Sequence, residues 1–384
     1  MDISGMKILI AIDSFKGSLT SPEAGRAAAE GIRRALLGAD ITVMPVADGG
    51  EGTVEALVSG LGGRLTEAEV SDPLGRPITA VYGILPDNTA VMEMSAASGL
   101  PLLADNERDP MLATTFGTGE LILDAVRRGC RNFIIGIGGS ATNDGGAGCL
   151  QALGFGMLDK DGRQIGRGAM GLSQLERITA DSVVPELADC RFSVACDVTN
   201  PLCGDNGCSA VFAPQKGADA EAVKLMDGYM HRYAEIAKRF DPAASPDTAG
   251  AGAAGGMGFA LMYFLGAQLS SGADLIIRET GLEEAVKNSD IVITGEGCID
   301  GQTAMGKAPA RIAALARKHG RPVIAFCGAV HSGAELCLDN GIGAYFPVIR
   351  DVCSLRQAMD GSIARRNLAD TAEQVFRCIS LFSK

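Results

Sequence analysis

The chain has 384 residues, more than one comfortable core holds, so two domains are expected. Apolar residues make up 47% and charged residues 21%, a globular balance, while aromatics are only 5% with no Trp, which weakens any case for stacking bases or sugars. A formal net charge of −12 disfavours nucleic acid or an anionic membrane as partner, yet leaves room for a small anion in a local pocket.

The opening "MDISGMKILIAID" has no long apolar run and carries Asp2, so no secretory signal is expected, and no run reaches the roughly 18–20 apolar residues of a membrane helix. The eleven Cys include no CxxC pair, and "LCGDNGC" is not a zinc spacing; reduced thiols in the cytoplasm are the expectation. "KILIAI" predicts a strand. Ser21-Pro22-Glu23 predicts a helix start, with Ser21 as N-cap, Pro22 at the first helical position and an acid at the positive end; the helix should run to about Leu37. "ITVMPV" is a second strand, followed by "ADGGEGT" and a helix from about Val54. Strand, helix, strand, helix implies a parallel sheet with helical crossovers.

The pattern then changes. "SDPLGRPITAVYGILPDNTAVMEMS" places turn signals at Asp72-Pro73, Gly75 and Pro86-Asp87-Asn88 between strand-like runs, which predicts antiparallel pairing. A helix at "GTGELILDAVRRG" precedes "NFIIGIGGSATNDGGAGCLQALG", a strand feeding a glycine-rich loop and then a helix from near Gly146. "FSVACDVTNPLCGDNGCSAVFAPQKGA" supplies a strand and a long loop, Glu221 to Phe240 a helix, and "TAGAGAAGGMGFALMYFLGA" a glycine-rich entry into another. The alternating pattern returns with "DIVITGEGCIDGQT" as strand then loop, "KAPARIAALARKHG" as a helix with Pro309 near its start, strands at "PVIAFCG" and "AYFPVI", and a helical C-terminus. The fold class expected is therefore α/β: a doubly wound, mostly parallel-sheet, Rossmann-like domain from residues 1–66 and 281–384, and an inserted mixed α/β domain over 67–280, with a ligand in the cleft between them.

Loops after parallel strands are where ligands sit in such sheets. "DSFKGS" offers Asp13 and Lys16, "ADGGEGT" offers Asp48 and Glu51, and "GEGCIDGQTAMGK" offers Glu296, Asp300 and Lys307. One such loop reads as tight turn geometry plus helix caps; three at corresponding positions favour function. The loop from Gly138 to Asp144 has three readings. "GIGGSA" fits G-x-G-x-x-A, but the helix begins too late for a dinucleotide fingerprint. A plain strand-to-helix turn is the second. The third is an anion cradle, with glycine amides and Ser140, Thr142 and Asn143 as donors. There Asp144 would face a divalent cation or cap the following helix. Asp197, after the strand "FSVAC", reads as a solvated turn residue or a hydroxyl-activating base, and Lys216 lies further along. The three His have no partner motif, and no G-x-x-x-x-G-K-[ST] is present.

Together, "DSFKGSL", "PVADGGEGT", "DPLGR", "GTGEL", "IGIGGSATNDGGAG", "ACDVTNPLCG", "PQKGA", "GAGAAGGMG" and "VITGEGCIDGQTAMGKAP", in this order from about Met6 to about Val348, resemble the bacterial glycerate kinase type 1 family. The resemblance implies ATP-dependent phosphorylation of D-glycerate to 2-phosphoglycerate. Two positions depart from the family pattern: Cys298 stands where "GEGRID" has Arg, and Cys208 where Ala is frequent. If that Arg touches substrate in relatives, Lys16 or Lys307 must serve here.

Phosphoryl transfer needs positioning, charge neutralisation and a partner for the attacking hydroxyl's proton. For the proton the expected residue is Asp197, ahead of Asp13, whose basicity a neighbouring Lys16 would lower. Lys16 is the candidate for the transition-state charge. Gly138, Gly139, Ser140, Asn143, Asp144 and Lys307 are expected at the ATP phosphates, and Asp48, Glu51, Glu296 and Asp300 at Mg²⁺. Two other classes remain open: a nicotinamide-dependent hydroxy-acid dehydrogenase and a non-catalytic metabolite-binding protein.

Overall fold

A computed structural model describes residues 5–47 and 49–382. Its strands in chain order are β1 (Lys7–Ile12), β2 (Asp40–Val43), β3 (Arg64–Ser71), β4 (Pro77–Ile84), β5 (Thr89–Glu93), β6 (Asn132–Gly136), β7 (Gly156–Leu158), β8 (Arg177–Thr179), β9 (Arg191–Ala195), β10 (Gln268–Ser270), β11 (Ile291–Ile299), β12 (Val323–Val330) and β13 (Ala344–Pro347). The chain divides into two compact units. The first comprises the described parts of Met1–Asp48, Glu55–Gly62 and Ala273–Lys384; the second is Gly49–Val54 with Gly63–Gly272.

The first unit holds a five-stranded sheet in the order β13-β12-β11-β1-β2, parallel throughout. β1 is apolar on both faces because both are covered. Ile8, Ile10, Ile12 and Ile293 share one core with Ala24, Ala28 and Leu368, from the helices Ser21–Ala35 and Gly361–Leu381. Leu9 and Val292, one residue out of phase, are buried on the other side. Right-handed crossovers put the helix Ala308–Lys318 there, against β11 and β12.

Ser21 is not the N-cap that the sequence suggests. Thr20 occupies that position, and its amide donates to the Glu23 carboxylate at 2.9 Å. The Ser21 hydroxyl instead donates to Ile12 O at 2.6 Å and accepts from Val46 N at 2.9 Å, tying the end of β1 to the segment after β2. β11 also runs further than the glycines of "GEGCID" suggest, so Glu296 and Cys298 belong to a strand.

The second unit is built on a six-stranded mixed sheet in the order β10-β9-β6-β5-β4-β3. β3, β4 and β5 are antiparallel, as the turn signals require, and β5, β6, β9 and β10 are parallel. The β3–β4 turn is held by Asp72, whose Oδ1 accepts from Leu74 N and Arg76 N, both at 2.8 Å. A separate two-stranded sheet pairs β7 with β8. The helix Ala220–Phe240 is capped by Asp219, which accepts from Ala222 N at 2.8 Å. Among the described residues, no helix is long and apolar enough to cross a membrane.

Candidate active site

In the first unit the strand order reverses direction between β1 and β11. The chain moves from β1 outward to β2 on one side, and from β11 outward to β12 and β13 on the other. That reversal is where open α/β sheets bind ligands. A cavity of about 340 Å³ lies there, and Asp13, Lys16, Glu296, Cys298 and Lys307 all line it. Two of the three expected loops, "DSFKGS" and "GEGCIDGQTAMGK", thus converge as one site, fed by the end of β1, the end of β11 and the start of the helix Ala308–Lys318, whereas "ADGGEGT" gives the cavity no described residue. The two loops run close together: a Cβ on Gly297 would sit in ordinary van der Waals contact with Lys16 N and Phe15 Cα, at 3.4 Å.

The charges are organised around Thr303. Its hydroxyl donates to Glu296 Oε1 at 2.7 Å. Asp300 caps the short helix Gly301–Ala304 by accepting from Gln302 N at 2.8 Å and Thr303 N at 3.0 Å. Lys307 Nζ stands 3.8 Å from Glu296 and 3.9 Å from Asp300. Burial opposes ionisation of Asp300, but the two amides and Lys307 outweigh it and hold its carboxyl below the usual range. The Cys298 thiol is pushed up, first by burial and then by Asp300 and Glu296, so it is a neutral wall of the cavity rather than a nucleophile. Asp13 is buried, and its Oδ1 accepts from Ser14 N at 2.6 Å.

The second unit presents its own carboxyl edge. Gly138 and Gly139 are exposed and Ser140 is buried, while Asn143 and Asp144 are fully enclosed. Asp144 accepts from Thr115 N at 2.8 Å, Thr115 Oγ1 at 2.9 Å, Gly146 N at 3.1 Å and Gly148 N at 3.2 Å. Burial pushes its carboxyl up, and these donors partly offset the shift. Of the two roles open for Asp144, this geometry is that of a cap and loop anchor. Asn143 Nδ2 donates to Ser209 Oγ at 2.9 Å. The helix after the loop starts only at Ala147, so the dinucleotide arrangement is not formed.

The segment Gly49–Val54 lies against the same edge. A Cβ on Gly49 would lie 2.4 Å from Ala195 Cβ, and one on Gly138 would lie 3.4 Å from Gly50 Cα. Glu51 is exposed there. Asp197 is exposed two residues past β9, and its Oδ1 accepts from Gly272 N at 3.1 Å. Asp48 lies outside the described residues.

Two features were not singled out as site residues from the sequence. Lys216 is fully buried; its Nζ donates to Ser140 Oγ at 2.8 Å and Thr142 O at 2.6 Å, and burial pulls its pKa down to about 8. The "PQKGA" turn is the only sequence signal for it. Glu93, the acid closing the apolar strand "TAVME", accepts from Val54 N at 3.0 Å; burial, with Glu51 adding to it, pushes its carboxyl up. Among the described residues, no group of three or more His, Cys, Asp or Glu is arranged to hold a metal. Glu296 and Asp300 nonetheless offer the hard oxygen donors that suit Mg²⁺, which needs only one or two carboxylates and keeps its waters.

A parallel sheet with lysines and carboxylates at its switch point, in a chain that also carries a glycine-rich loop, defines an enzyme of the small-molecule kinase class. Residues 8–380 match the glycerate kinase family. The chain is 45% identical over 376 residues to a glycerate kinase of Haemophilus influenzae, covering 98% of this chain and 99% of that one. It is 46% identical over 372 residues to a glycerate 2-kinase of Escherichia coli, covering 95% and 98%. A solved structure from Salmonella typhimurium LT2, described as a glycerate kinase 2, superposes with a TM-score of 0.91 at 44% identity over 99% of both chains. The chain belongs to the glycerate kinase family.

Proposed function

We propose that the chain transfers the γ-phosphoryl group of ATP to the 2-hydroxyl of D-glycerate, giving 2-phosphoglycerate and ADP. The observation that carries this reading is the near full-length similarity to a relative named for 2-kinase activity. The convergence of Lys16, Lys307, Glu296 and Asp13 on one cavity supports it. Lys16 and Lys307 neutralise phosphate oxygens, which matters most as charge shifts in the transition state. Glu296 and Asp300 would hold Mg²⁺, which would supply charge neutralisation of the phosphates. Gly138 and Gly139 present exposed amides to an anionic group, and Asp144 keeps their loop in shape from beneath. Asp197 accepts the proton of the attacking hydroxyl; the Gly272 amide orients it. Eleven unpaired cysteines suit a reducing cytoplasm.

The test is a coupled assay with ATP, Mg²⁺ and D-glycerate. Product that feeds enolase directly, without phosphoglycerate mutase, is 2-phosphoglycerate. Product that needs the mutase overturns the regiochemistry, and turnover unaffected by EDTA overturns the role given to Mg²⁺.

A further inference from the structure

The cavity at the β1/β11 switch point is not uniform. Asp13, Lys16, Glu296 and Lys307 give it a charged lining, whereas Val348, Ile349, Leu355, Ala358, Met359 and Ala364 give it an apolar wall. Part of that wall is open to solvent in an unusual way. Leu355 is 78% exposed, Ile349 42% and Met359 38%, all on the stretch between β13 and the helix Gly361–Leu381. Large apolar side chains grouped around a cavity are the mark of a surface that a ligand covers. Met359 is held in place from below: its Cε occupies the space where a Cβ on Gly17 would lie, 2.5 Å away. The wall is therefore packed onto the same loop that carries Lys16.

The two substrates of the proposed reaction differ in what they bring to such a place. Glycerate is three carbons carrying a carboxylate and two hydroxyls, so against this wall it would lose hydration and gain no partners. A nucleoside triphosphate is amphiphilic, with a flat base at one end and a polyanion at the other. Its polarity runs in the same sense as that of the cavity. The lining also includes the Asn367 amide, which can both donate to and accept from the edge of a base.

We infer that this cavity takes the nucleoside of the phosphate donor, with the base against Ile349, Leu355 and Met359 and the phosphates toward Lys16 and Lys307, and that glycerate is held outside it. The inference rests on the reading of the protein as an ATP-dependent kinase. It assigns the base-binding wall to a stretch that none of the loops singled out from the sequence includes.

The experiment compares the parent with Leu355→Ser, which removes an exposed apolar contact, and Ala358→Phe, which fills the cavity. Two readouts are taken: KM for ATP and for D-glycerate, and thermal protection by Mg-ATP against protection by Mg-tripolyphosphate. The expected result is a rise of about tenfold or more in KM for ATP in both variants, the scale of one lost apolar contact, with KM for glycerate within about twofold. Tripolyphosphate should protect parent and variants alike, while ATP protection of Ala358→Phe falls to the tripolyphosphate level. A raised KM for glycerate with KM for ATP unchanged makes the cavity the acceptor site and overturns the inference, as do parental values for both variants. If the parent shows no glycerate phosphorylation, the functional reading fails separately, and the ATP and tripolyphosphate protection still judges the cavity.

Discussion

At the scale of single residues, two carboxylates that looked alike in sequence separate by environment. Asp144 spends its acceptors on Thr115 N and Oγ1 at the start of the helix Phe116–Arg127 and on Gly146 N and Gly148 N just after Asp144 itself, and it is shut away from solvent, so it holds the loop in shape. Asp197 is exposed and anchored through one oxygen to Gly272 N. Replacing Asp197 with Asn keeps its shape and removes its basicity; kcat should fall by roughly 10²–10⁴-fold, the usual worth of a general base, with ATP protection against heat retained. Near-parental kcat would pass the role to Asp13, and loss of ATP protection would make Asp197 a metal or nucleotide ligand. Lys216 gives a pH signature. Burial lowers its pKa to about 8 in the folded protein, below the 10.5 of an unhindered lysine. Between those values the unfolded chain binds the proton more tightly, so stability rises with pH through this window. Below pH 8 the folded protein carries a buried charge at the full penalty, about 3 kcal/mol from the shift. Cys208 and Asp144 face the ammonium, and burial pushes both of their pKa values up. Denaturant titrations of the parent and Lys216→Met from pH 7 to 10.5 should show the parent gaining on the variant as pH rises. Parallel curves would mean that Lys216 is not held as a buried cation.

Among elements, the glycines carry a lesson that periodicity alone does not. "GGSATNDGG" reads as a candidate anion cradle and "GAGAAGGMG" as a glycine-rich helix entry, yet much of their glycine content serves backbone-on-backbone packing of one against the other. A Cβ on Gly255 would lie 2.1 Å from Thr142 O, and Gly145 N donates to Gly255 O at 2.9 Å. The run Ala254, Gly255, Gly256 has φ of 52°, 67° and 90°, a left-handed stretch that breaks the helix it sits in. The strands and most helices of the chain were legible because apolar runs, turn residues and caps are local. Partners of glycines were not, because a missing side chain does not say what fills its place. The same holds between the helices Ser21–Ala35 and Gly361–Leu381, where a Cβ on Gly31 would meet Ala369 O at 1.9 Å. On an isolated helix Gly31→Ala would gain about 1 kcal/mol. Here the clash is with backbone, so an overpacking cost of roughly 1–3 kcal/mol should exceed that gain and lower the Tm by a few degrees. A raised Tm would show that the helix pair can separate without cost.

For the whole molecule, the decisive fact is that one sheet is assembled from both ends of the chain. β1 and β2 come from the first residues, and β11, β12 and β13 from the last, yet β1 pairs with β11 along Ile8 to Ile12. The alternating patterns at the two ends announced two halves of one domain. The place of the site followed from the strand order, since a sheet that reverses direction between β1 and β11 opens a crevice there. The apolar wall after β13 was not legible, because scattered exposed hydrophobics carry no period. A consequence can be tested by ending the chain after Gly272. β1 would then keep only β2 as neighbour, and an isolated two-stranded parallel pair has no independent stability. Ile8, Ile10 and Ile12 would lose Ile293, Leu368 and Phe376 from their shared core. The second unit keeps its whole six-stranded sheet in such a fragment, because β3 to β10 all precede the cut. Hydrogen exchange on the fragment should therefore show protection in β5, β6 and β9 and none in β1 or β2. Limited proteolysis should trim the first unit's residues while leaving 63–272 intact. Protection of β1 at its parental level would mean that the first unit does not need its C-terminal strands, contrary to the pairing that defines it.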